Sequence, residues 1–146
     1  MQIKYQKTPN WDAIVKKFQV KETDHTFYTY GDCIYSPSGI PPSDDLIVHE
    51  SVHAEQQEHH NDVAVLWWER YIRDPQFRAD QEIEAYGTQY RFICQKYKQR
   101  DVRAKYLTFF AKTLSGVQYD HCIDLPEAIK QIRIFADHGR GKLSTI

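Results

Sequence analysis

The sequence predicts an α+β fold that is mostly helical, on three observations. Six segments read as helices from apolar residues at helical spacing or from helix start and stop signals. One stretch near the start, residues 26–36, TFYTYGDCIYS, is rich in β-branched and aromatic residues instead. The chain of 146 residues shows no repeat, low-complexity tract or long linker, so it reads as a single domain over 1–146 with enough chain for a real core.

The elements follow in order. Asn10 can cap a short helix through Phe18, with Ile14, Val15 and Phe18 on its apolar side. In TFYTYGDCIYS, Gly31-Asp32 sits mid-stretch, which suggests two short strands or one bulged strand. SPSGIPPSDD is dense in turn residues, and Ser43 or Asp44 then opens a helix. Asn61 reads as the cap of NDVAVLWWERYIR. Asp74-Pro75 starts a helix running to about Tyr97, since proline suits the first helical position. Asp101 opens the next, ending near Leu114 with Gly116 beyond it. Asp124 and Glu127 have capping-box spacing, and that helix is expected to end before Gly139.

Composition excludes some function classes. Net charge is −1, so no strong field draws the chain to nucleic acid or an anionic membrane surface. The basic residues of RFICQKYKQRDVRAKY read as a solvated helix face. No apolar run approaches the roughly 18 residues of a membrane span, and MQIKYQKTPNWD lacks an apolar signal core. A cytoplasmic protein is the expectation. Cys33, Cys94 and Cys122 are odd in number and form no CxxC pair, so reduced thiols are expected.

The informative stretch is IVHESVHAEQQ, which contains His49-Glu50-Ser51-Val52-His53. With seven histidines and eight glutamates in the chain, about 0.02 HExxH matches arise by chance. On a helix, residues four apart stack on one face about 6 Å apart along the axis, so His49 and His53 can reach one ion. Neutral imidazole is a good zinc ligand. Glu50 lies about 100° around the helix from His49. It is badly placed to bind the same ion but can reach a water on it, as a carboxylate base must. Leu46, Ile47, Val48 and Val52 surround the histidines and predict that this turn is buried. Buried histidines need partners.

A catalytic zinc takes three protein ligands and an open position. His59 stands where HExxHxxGxxH places a third histidine, but an unbroken helix puts it about 15 Å from His49, and the helix-breaking glycine is Gln56 here. His60 is equally distant. Cys33 could serve as the upstream cysteine of peptide deformylases does, though GDCIYS matches their loop weakly. Glu82 and Glu84 lie on the helix with the apolar stripe Ala79, Ile83, Tyr86, Tyr90, Ile93, Cys94, Tyr97. Glu82 borders that stripe and Glu84 points further to solvent, so Glu82 is the favoured third ligand, with Glu84 and Cys33 in reserve.

HESVH with the downstream EIEAY resembles the gluzincins, zinc metallopeptidases in which a glutamate from a second helix joins the HExxH pair. Glu82 and Ala85 match their E-x-x-A pattern, while Tyr86 stands where an aspartate is usual. YGDCIYSPSG, DLIVHESVHAEQQ, WWERYIRDPQFRADQEIEAYGTQY and KTLSG are similar to segments of small metallopeptidases encoded by tailed bacteriophages, over roughly residues 27–120. The resemblance implies a minimal zincin-like fold, an active-site helix beside a small sheet whose edge can pair with an extended peptide. It implies a peptide or protein substrate, a host-cytoplasm or virion location, zinc on His49, His53 and Glu82, and Glu50 as general base. Tyr86 would orient a zinc-bound imidazole. Tyr119 and His121 are candidates for stabilising the oxyanion. Trp67 and Trp68 are expected in the core. The rival expectation is a non-catalytic zinc-binding structural or assembly protein, whose site would close with a fourth protein ligand such as Cys33 or His121.

Overall fold

A computed structural model describes residues 1–138. They form an α+β, mostly helical arrangement: β1 (Gln2–Lys4), α1 (Trp11–Phe18), β2 (Tyr28–Tyr30), β3 (Cys33–Tyr35), α2 (Asp44–Gln56), α3 (Asn61–Arg73), α4 (Pro75–Lys96), α5 (Arg100–Leu114), a 3-10 turn (Val117–Tyr119) and α6 (Leu125–His138). Packing divides the chain into two compact units, Met1–Asp74 and the segment from Pro75 onward.

The first unit is a three-stranded sheet with α1, α2 and α3. Strand order is β1-β3-β2, with β3 antiparallel to β2 and parallel to β1. The β2–β3 hairpin closes through Gly31-Asp32, with Tyr30 opposite Cys33. Gly31 has φ +64 and lies so near the Asn61 side chain that a Cβ would collide with Asn61 Oδ1. Glycine meets both demands. Alternation along β2 sends its neighbouring side chains to opposite faces. Tyr28 meets Trp11 edge to face at 5.7 Å, and Thr29 bonds to α2. β1 was not expected from the sequence. It is three residues long, and its pairing Ile3↔Ile34 spans 31 positions, which no local pattern encodes.

α3 begins differently from the expectation that Asn61 caps it. Asn61 is its first residue and His60 is the cap, with Nδ1 accepting from the Asp62 amide at 3.2 Å. α2 ends as Glu58 and His59 turn left-handed (φ 54 and 51), which leaves His60 extended for that cap.

The second unit packs α4, α5, the 3-10 turn and α6 around Ala79, Ile83, Ile93, Leu107, Phe110, Ala111, Leu114, Tyr119, Ala128 and Ile132. Gly87 lets α4 and α6 approach closely, for a Cβ there would meet Phe135 Cβ. Asp124 Oδ1 accepts from the Glu127 amide at 2.9 Å, as the capping spacing predicts. α5 starts at Arg100 after Gln99, one residue ahead of the expected Asp101. Gly139, the expected stop of α6, lies outside the described residues. No helix among them is long and apolar enough to cross a membrane. The cysteines Cys33, Cys94 and Cys122 are free.

Candidate metal centre

In the first unit the HESVH turn is buried although it is polar. His49, Glu50 and His53 are each 5% exposed. Val48 and Val52, on the same turns, pack into the core and carry the segment inward.

The two imidazoles meet at Nε2, 3.2 Å apart. Two nitrogens bound to one tetrahedral zinc at about 2.0–2.1 Å stand about 3.3 Å apart, so the pair already has the bite of a chelate. A hydrogen bond fixes the other end of His53. Its Nδ1 lies 2.9 Å from Gln56 Oε1, and with Nδ1–H donating to that amide oxygen, Nε2 carries the lone pair a cation requires. The Trp67 ring lies against the His53 ring, with centroids 5.4 Å apart, and stacks in turn on Tyr71 at 4.8 Å. The indole thus limits how far the imidazole can swing and keeps water from that side.

Glu50 is held from the sheet. Thr29 Oγ1 lies 2.7 Å from Glu50 Oε2 and 3.0 Å from the Glu50 carbonyl, and the hydroxyl is itself 1% exposed by residue. The Thr29 carbonyl accepts from Gln57 Nε2 at 3.1 Å and from Trp68 Nε1 at 2.9 Å. Gln57 Oε1 takes the Gly31 amide at 2.7 Å. Gln57 and Trp68 therefore fasten β2 to α2 and α3 at the residue that anchors Glu50.

The sequence named His49, Glu50 and His53, and the structure gathers them on one buried helix turn. It missed Thr29, Gln56 and Gln57. Gln56 was detectable, since i and i+3 positions are neighbours on a helix. Thr29 was not, because its bond to Glu50 crosses 21 residues. His59 and His60 stand apart from the pair: His59 Nδ1 bonds Asp32 at 2.8 Å on the surface, and His60 caps α3. Cys33 is half-buried in the centre strand, paired with Gln2 and Tyr30.

In the second unit Glu82 is 3% exposed and Glu84 is half-buried, in the order the α4 stripe predicts. Tyr119 Oη donates to Glu82 Oε2 at 3.2 Å. Tyr119 is presented by the 3-10 turn, and a fully buried arginine holds that turn in place. Arg78 Nε donates to the Gln118 carbonyl at 2.9 Å, and Nη2 pairs with Asp120 at 3.1 Å. Asp120 and His121 then both adopt left-handed backbone, and His121 Nδ1 lies 2.9 Å from the Ser115 carbonyl, exposed. Tyr86 packs its ring on Phe110, 5.1 Å between centroids.

No protein-family model matches the chain, and neither a curated protein nor a solved structure does.

Proposed function

We propose that the chain is a zinc-dependent peptide-bond hydrolase, with His49, His53 and Glu82 as metal ligands and Glu50 as general base. The observation that carries the reading is the His49–His53 pair, whose Nε2 atoms stand 3.2 Å apart at the bite of a tetrahedral ion. The HExxH spacing and the downstream E-x-x-A glutamate agree with it. Glu82 fits the third place because a carboxylate this deeply buried is stabilised by a cation and by donors such as the Tyr119 hydroxyl.

A bound zinc supplies a water acidified toward neutral pH and a Lewis acid for the scissile carbonyl. The residues of the chain do the rest. Glu50 accepts the water proton at its carboxylate and returns it to the leaving amine. Thr29 holds Oε2 so that the carboxylate keeps one orientation through both transfers. Gln56 keeps the His53 proton on Nδ1 and so keeps Nε2 available as a ligand. Trp67 walls the His53 side against solvent.

A mixed-peptide cleavage assay tests the reading. Activity is expected to vanish on chelation, to return with zinc, and to fall by about a thousandfold or more in Glu50→Gln. Retained zinc with no cleavage of any peptide would support a structural zinc protein instead.

A further inference from the structure

We infer that the second unit carries a binding site for a small phosphorylated molecule, in a cavity between α4, α5 and α6. The cavity has a volume of about 520 Å³ and is lined by Arg91, Lys98, Arg103 and Arg133, with Tyr90 and Cys94 on its wall. That volume is in the range of small-molecule sites, roughly 300–1,000 Å³. Among the described residues its lining holds four cationic residues and one carboxylate, Asp137.

The arrangement is not that of arginines spread over a solvated face. Arg91 is on α4, Arg103 on α5 and Arg133 on α6, so three separate helices each contribute an arginine to one lining. Among the described residues, two of their donors, Arg91 Nη1 and Arg103 Nε, are buried with no hydrogen-bond partner. A buried N–H of a charged group is costly unless an acceptor meets it. Arg103 is itself positioned from the other end, since its Nη2 donates to the Lys98 carbonyl at 2.6 Å in the α4–α5 connection. Tyr90 stands within the field of the cluster. Burial and the Cys94 thiol raise its hydroxyl pKa, and Arg133 and Arg103 pull it down.

A phosphoryl group is the ligand chemistry that answers these features. It offers several acceptor oxygens, matches the planar fork of a guanidinium in two-point contacts, and carries the charge that four cations and one carboxylate leave unbalanced. The limited volume of the cavity favours a compact ligand over a nucleic-acid strand, which needs an extended basic track. Of the basic residues in RFICQKYKQRDVRAKY, Arg91, Lys98 and Arg103 line this cavity, whereas the sequence suggested only a solvated face.

The test is calorimetric titration of the full chain at low salt with ATP, inorganic phosphate, adenosine and a short single-stranded oligonucleotide. ATP should bind with micromolar affinity, adenosine should not bind, and raised salt should weaken the interaction. Inorganic phosphate binding nearly as well as ATP would identify the free anion as the ligand within the same chemistry. Arg133→Glu, at an exposed position, should keep the wild-type melting temperature and weaken ATP by about tenfold or more, and Arg103→Gln should weaken it similarly. No ATP or phosphate binding at millimolar concentration overturns the inference. So does equal binding of adenosine, tighter binding of the oligonucleotide, or indifference to both substitutions.

Discussion

The Glu50 carboxylate is set by a threonine from a strand rather than by its own helix. Thr29→Val keeps the shape of the side chain and removes the donor at 2.7 Å. On the proposed function it should lower kcat by about tenfold to a hundredfold with zinc content unchanged, which paired activity and metal assays will show. Gln56→Ala acts on the other part of the site. It removes the acceptor at His53 Nδ1 and should weaken zinc affinity by about tenfold to a hundredfold, measured by competition with a chelator. The histidines and Glu50 were legible in the sequence because a helix converts spacing into geometry, and His49, Glu50 and His53 lie within five residues. Thr29 was illegible because nothing local to residues 26–36 points toward α2.

Among the elements, the strands depend on buried tyrosines. Burial raises the Tyr28 hydroxyl pKa from 10.0 to about 12, and burial also raises Tyr30 and Tyr35. A tyrosine whose folded pKa exceeds its unfolded value is neutral in the fold and ionises first in the unfolded chain. Its stabilising contribution is therefore complete below pH 10 and is lost as pH rises from 10 toward 12. A denaturation series over that window should show stability falling, and Tyr28→Phe should flatten the fall. α4 and α6 make a second case. Gly87→Val places a branched side chain against Phe135 and should cost about 1–3 kcal/mol in urea unfolding. The helix boundaries of α1, α2 and α4 follow their start signals closely, since proline and apolar periodicity act within one turn. The α3 start departed by one residue because His60, after two left-handed residues, reached the Asp62 amide before Asn61 could. β1 escaped the sequence for the opposite reason, as its partner strand is remote.

At the scale of the whole molecule, the α+β, mostly helical class was readable because punctuation and periodicity recur along the entire chain. What composition hid was the convergence of like charge. A net charge of −1 says nothing of where cations gather, and three helices of the second unit, with the connection between α4 and α5, gather four of them around one cavity. Arg78 is a charge hidden in another way: it is fully buried and pins the turn that presents Tyr119 to Glu82. Arg78→Ala should destabilise the chain by about 1–3 kcal/mol in urea unfolding, by leaving the Gln118 carbonyl without its donor. The proposed hydrolase rests on one ion, and counting that ion tests it most directly. Elemental mass spectrometry of untagged protein, after zinc is supplied, should find about one zinc per chain in the wild type and in Glu50→Gln, with the metal lost from His49→Ala and Glu82→Ala. A wild-type protein that holds no zinc, or a Glu82→Ala variant that holds it as tightly as the wild type, would contradict the ligand set and the mechanism built on it.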